Sequence, residues 1–131
     1  MRVIIRTDGA SRGNPGPAAI GVTIKDPQGK LLATVSRRIG VTTNNQAEYR
    51  AIIAGLEKAV SLGAREVTAY ADSELLVRQI QGRYRVRQAA LRPLYQEIVQ
   101  LAGALEKFTI THVTRDQNAE ADLLANQALD G

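Results

Sequence analysis

Cysteine and tryptophan are absent from this 131-residue chain, and histidine, methionine and phenylalanine each occur once. Without cysteine there is no disulfide framework and no thiolate metal site. One Phe and four Tyr leave no evident stacking platform for single-stranded bases. No apolar run approaches the ~20 residues of a membrane-spanning helix. Arg2 and Arg6 bracket only three apolar residues, too few for the core of a signal peptide. These absences lead to the expectation of a cytoplasmic chain with no membrane partner. What is present is ordinary for a globular protein, 44% hydrophobic and 23% charged residues, and residues 1–131 read as a single domain. The net charge of +4 fits a polyanionic partner. No strong exposed apolar stripe is visible, so a monomer is expected. The Met1 start and the ending at Asp130-Gly131 fit a free-standing chain rather than a segment of a larger polyprotein.

The chain is organised around Thr7-Asp8-Gly9-Ala10-Ser11-Arg12-Gly13-Asn14-Pro15-Gly16. Val3-Ile4-Ile5 reads as a buried strand that ends on a carboxylate and runs into a Gly/Pro turn. Further strands are predicted over Ala18–Lys25, Lys30–Ile39, Glu66–Ala71 and Lys107–Val113. The turn Asp26-Pro27-Gln28-Gly29 joins the second and third of these into a hairpin. A long helix is predicted from Asn44 or Asn45, either of which can cap it, to about Leu62, where Gly63 stops it. A short helix over Glu74–Ile80 is capped by Asp72-Ser73. Ala89–Leu105 forms another, with Pro93 in its first turn. After the loop at Arg115–Asn118, Asn118 caps a last helix through Leu129. The order βββαβααβα implies an α/β fold with a mixed five-stranded sheet, three antiparallel strands followed by parallel ones, flanked by helices.

Four carboxylates sit at element ends. Asp8 closes the first strand and Asp72 the fourth. If those strands are parallel neighbours, both acids emerge at one edge. Glu48, in the first turn of the long helix, tops the stripe Ile52, Gly55, Ala59 and points toward the sheet. Asp122 lies one turn into the last helix. Each acid alone has a plainer explanation in turn chemistry, capping or the helix dipole. Together, uncompensated, they would repel one another and raise their pKa values. A hard divalent cation removes that penalty, and an oxygen-only donor set favours Mg2+ or Mn2+ over zinc. Two such ions ~3.5–4 Å apart can activate water and stabilise the leaving oxygen of a phosphodiester.

The segments TDGASRGNPG (7–16), TTNNQAEYRA (42–51), ADSELLVRQI (71–80) and RDQNAEADLLANQA (115–128) resemble, in order, the four motifs of type 1 ribonuclease H. The resemblance covers nearly the whole chain and implies the ribonuclease H-like fold. It further implies an endoribonuclease that cleaves the RNA strand of RNA–DNA hybrids with two Mg2+ ions, leaving 5′-phosphate and 3′-hydroxyl ends. Mn2+ would be a substitute metal. On this resemblance Asp8, Glu48, Asp72 and Asp122 are the catalytic metal ligands. Asp8 would bridge both ions, with Asp72 and Glu48 on one side and Asp122 on the other. It also assigns substrate contacts to Asn14, Asn44 and Asn45 at the ribose hydroxyls. Thr43 would meet a DNA phosphate, and Gly9, Ala10 and Ser11 would line the RNA strand. The plainer readings of these asparagines are helix capping and a turn.

The chain departs from the family pattern twice. Many members place a histidine on a flexible loop before the fourth acid. Here His112 falls at that spacing but inside a strand, and Arg115 is the better auxiliary candidate. This resembles the archaeal-like branch, which extends the expected substrates to double-stranded RNA. The Trp- and Lys-rich protrusion of some members is also missing. Gln81–Ala90 carries only Arg83, Arg85 and Arg87, which can touch phosphates or form a solvated edge.

Overall fold

The computed structural model describes residues 1–131. The strands are β1 (Arg2–Ser11), β2 (Gly16–Lys25), β3 (Leu31–Thr42), β4 (Glu66–Ala71) and β5 (Lys107–His112). The helices are α1 (Asn44–Ser61), α2 (Glu74–Ile80), α3 (Arg92–Gly103) and α4 (Ala119–Asp130), the last preceded by a 3-10 turn over Arg115–Asn118. The sheet order is β3-β2-β1-β4-β5, with β1–β2 and β2–β3 antiparallel and β1–β4 and β4–β5 parallel. This is the mixed sheet that the element order implies. The hydrophobic core is built on Val3, Ile5, Val22, Ile52, Leu56 and Val67, all fully or almost fully buried.

Several boundaries differ from the sequence expectation, each for a local reason. The cap of α1 is Thr43, not Asn44 or Asn45. Its backbone is extended (φ −85°, ψ 161°) and its Oγ1 accepts from the Gln46 N–H at 3.2 Å. Both asparagines are thus already helical. Glu48 becomes the fifth helical residue, at the start of the second turn rather than in the first. Helix α3 begins at Arg92, three residues late. A start at Ala89 would require Pro93 to donate the bond it lacks. Ser73 alone caps α2, its Oγ accepting from Leu76 N–H at 3.3 Å, so the Asp72 carboxylate takes no part in the cap.

Candidate active site

The two central strands set the first pair of acids. In the parallel β1–β4 ladder Thr7 is level with Ala71, so the next residues, Asp8 and Asp72, lie side by side where β4 ends. Strand β1 continues its pairing with β2 to Ser11, so Asp8 sits within the strand rather than closing it. Two close backbone approaches set the other pair. Gly9 lies against α1: a Cβ there would sit 2.2 Å from the carbonyl carbon of Ala47. That contact lets the Gly9 N–H donate to Glu48 Oε1 at 3.0 Å, fixing the carboxylate over the strand end. Gly21, the cross-strand partner of Asp8, lies against α4, where a Cβ would sit 2.1 Å from the Ala121 carbonyl oxygen. Cross-strand partners share a face, so Asp8 points to the side on which α4 carries Asp122.

Oxygens of Asp8, Glu48 and Asp72 all fall within 4.8 Å of one another. Asp122 stands outside this trio but beside Asp8, whose carboxyl it perturbs. Asp8 is only 6% exposed. Burial first, then the charges of Glu48 and Asp72, push its pKa far above the ordinary carboxylate range. Burial also raises Glu48, against the Gly9 N–H, which lowers it. Arg115 brings a compensating positive charge toward Glu48. Nothing else cationic lines the cleft. A donor set of carboxylate oxygens alone, crowded and only partly offset by Arg115, fits a hard divalent cation.

This raises a testable expectation. In the metal-free protein the native state holds protons that the unfolded chain gives up above the ordinary values of 3.8 for Asp8 and 4.5 for Glu48. Stability is therefore greatest below those values and falls as pH rises toward the raised native ones. In EDTA the melting temperature should drop between pH 5 and 8, about 3–5 °C for each kcal/mol lost. Millimolar Mg2+ should restore it at pH 8. A melting temperature flat across that range, with no response to metal, would contradict mutual repulsion among the acids.

The acids lie in a cleft of about 540 Å3 that is also lined by Gly9, Ala10, Ser11, Asn44, Asn45, Ser73, Arg115 and Asn126. Asn14 and Thr43 do not line it; they stand at its rim, through Asn44 and the α1 cap. Asn14 Oδ1 accepts from the Asn44 N–H (3.1 Å), and Asn44 Oδ1 accepts from the Ser11 N–H (3.0 Å). Each amide oxygen accepts one backbone N–H, and together they pin the end of β1 and the loop after it to α1. The Ser11 hydroxyl is engaged likewise, facing the carbonyls of Gly13, Gly16 and Thr42. His112 is exposed at the end of β5 and contributes nothing to the cleft, whereas Arg115 lines it.

Sequence reasoning missed Ser73, Asn126 and, above all, Asn118. Asn118 occupies the cap position of α4 but makes no capping bond. It is fully buried, and its Nδ2 donates to the Thr7 carbonyl at 2.9 Å and to Asp72 Oδ2 at 3.4 Å. Its Oδ1 is buried with no partner, a situation that costs about 1–3 kcal/mol. Only its place four residues before Asp122 hinted at more than a cap.

A family described as Reverse transcriptase-like matches residues 6–128. A Mycobacterium tuberculosis protein described as bifunctional is 44% identical over 131 residues, 99% of this chain but 36% of its own length. Ribonuclease HI of Halobacterium salinarum is 43% identical over 129 residues, 98% of this chain and 65% of its own length. The chain thus spans about a third of the first relative and just under two thirds of the second. The crystal structure of RNase H1 from Halobacterium salinarum matches with a TM-score of 0.97 at 42% identity, covering 99% of this chain and 98% of that one. The LC11-RNase H1 structure, solved in complex with an RNA/DNA hybrid, matches with a TM-score of 0.93 at 44% identity, over 98% and 96%.

Proposed function

Because this chain belongs to the type 1 ribonuclease H family, we propose that it is an endoribonuclease hydrolysing the RNA strand of RNA–DNA hybrids. The observation that carries this reading is the convergence of Asp8, Glu48 and Asp72 oxygens within 4.8 Å at the floor of an open polar cleft. A pure nucleic-acid-binding module has no use for negative charge gathered where phosphates must approach. Asp8, Glu48, Asp72 and Asp122 would hold two Mg2+ ions, with Mn2+ as a substitute. When bound, the metal supplies a Lewis acid that lowers the pKa of the attacking water and offsets charge on the leaving 3′ oxygen.

The rest of the site is read from which atoms the protein leaves unused. With each oxygen already accepting a backbone N–H, the side-chain N–H groups of Asn14 and Asn44 are the ones without a protein partner. Donors of this kind suit the 2′-hydroxyl oxygen, the atom that distinguishes RNA from DNA. Asn45 joins them from the next position of α1. The Thr43 oxygen caps its helix, which leaves its O–H to donate to a DNA phosphate. Gly9, Ala10 and Ser11 form the wall along the RNA strand. Arg115 is the auxiliary cation, able to meet a phosphate oxygen beside Glu48. Arg83, Arg85 and Arg87 lie exposed beyond α2 and add phosphate contacts in place of a protrusion. Hybrid affinity should therefore fall steeply with salt.

Double-stranded RNA, which shares the 2′-hydroxyl, is a second substrate on this reading. The large exposed apolar residues include Leu31 and Val41 at opposite ends of β3, Val60 on α1 and Val99 on α3, a scatter that supports a monomer. The chain has no helix long and apolar enough to cross a membrane; the cytoplasm is its proposed site of action. The test is cleavage of matched RNA–DNA hybrid, duplex RNA and duplex DNA with Mg2+, Mn2+ or EDTA. Metal-dependent cutting of the hybrid's RNA strand, with duplex DNA untouched, is expected. Hybrid binding without cutting under every metal would sink the proposal in favour of a binding module.

A further inference from the structure

We infer that Asn118 is a positioning residue that organises the acid cluster by tethering the Asp72 carboxylate. The inference rests on the reading of the acids as metal ligands. Its basis is the pair of bonds from Nδ2, to the Thr7 carbonyl and to Asp72 Oδ2. Thr7 precedes Asp8, and Asn118 leads into α4, which carries Asp122. One amide therefore joins the three chain segments that bear Asp8, Asp72 and Asp122.

The orientation of that amide follows from its surroundings. Both groups facing Nδ2 are acceptors, so the reverse orientation would set oxygen against oxygen twice. The choice has a cost that the sequence could have avoided. At the cap position of α4, Oδ1 could have accepted an N–H of the first turn, as Thr43 and Ser73 do for α1 and α2. Instead α4 goes uncapped and Oδ1 stays buried without a partner. A short polar side chain that gives up its local role in this way marks a functional constraint. Donation to Oδ2 restricts rotation of the Asp72 carboxylate, so less ordering remains to be done when a cation binds. Partners of this kind around metal-binding carboxylates are worth about 10–100-fold in metal affinity.

The experiment is a Mg2+ titration of the full chain, read both by thermal shift and by hybrid cleavage. Asn118→Ala removes the donor, and Asn118→Leu removes it while keeping most of the volume. For either variant the half-saturating Mg2+ concentration should rise about 10-fold in both readouts. Cleavage at saturating Mg2+ should return to within a few-fold of wild type. A lowered melting temperature with an unchanged half-saturating concentration would reduce Asn118 to a packing residue and overturn the inference. Should neither variant fold, the wild-type side-chain amide resonances of Asn118 decide. They should shift with Mg2+ at the same half-saturation as the thermal response, and no shift would overturn the tether. A wild type that responds to Mg2+ in neither readout would overturn the metal-ligand reading itself, and the inference with it.

Discussion

Asp8→Asn is expected to lower cleavage of the RNA strand by at least about 10³-fold, about 4 kcal/mol of barrier, while making the metal-free protein more stable. The two effects share one cause. Asp8 is the most buried of the four acids and faces Glu48, Asp72 and Asp122 together. At neutral pH its charge is opposed by burial and by its neighbours. An amide of the same shape is neutral without taking up a proton and can donate to Glu48. A gain on the order of 1 kcal/mol, about 3–5 °C, is expected in EDTA at pH 7.5. The same substitution should abolish most of the melting-temperature rise caused by Mg2+. Thermal melts with and without metal, beside a cleavage assay, check all three. A variant less stable than wild type in EDTA, or one that still cuts at a tenth of the wild-type rate, would count against the crowded-acid site.

Gly21→Ala is expected to be among the most damaging single substitutions in the chain, although it adds only one uncharged methyl group. The added carbon would meet backbone, 2.1 Å from the Ala121 oxygen and 2.6 Å from the Ala125 nitrogen. Backbone in a helix does not yield as a long side chain would, so α4 must lift from the sheet as a unit. Asp122 leaves with it. The expected loss is about 3 kcal/mol or more, roughly 10 °C in melting temperature, with cleavage falling further than stability alone accounts for. Gly103→Ala is the control. It lies at the end of α3 with nothing within 4 Å of its would-be Cβ, and it should change little. Denaturant melts of both variants, with cleavage measured well below their melting points, make the comparison. Wild-type activity in Gly21→Ala would mean that α4 can slide without moving Asp122.

The two glycines show how a catalytic geometry can be encoded by absence. Gly9 admits α1 on one face of the sheet and Gly21 admits α4 on the other, at neighbouring positions of the same strand pair. Any side chain at either position would widen the gap between the acids. In the sequence each is one glycine among 11, with no sign of what it approaches.

The sequence by itself determined the element order and the mixed character of the sheet, and it picked out the four acids, although Asp8 lies within β1 and Glu48 one turn into α1 rather than at an element end. Those features follow from signals read within a few residues: apolar runs, Gly/Pro punctuation and the helical stripe Ile52, Gly55, Ala59. It also set Asp8 and Asp72 at one edge once β1 and β4 were taken as parallel neighbours. Only the tertiary structure decided how the polar side chains spend their hydrogen bonds. Thr43 rather than Asn44 or Asn45 caps α1, and Asn118 abandons the cap of α4 for Thr7 and Asp72. Asn14 and Asn44 close on each other's segments across 30 residues of chain, and Arg115 rather than His112 reaches the acids. The physical reason is common to the asparagines. A short polar side chain has a local backbone partner and a remote one of nearly equal worth. Sequence names the local one, and only the packed fold brings the remote one within 3 Å or so.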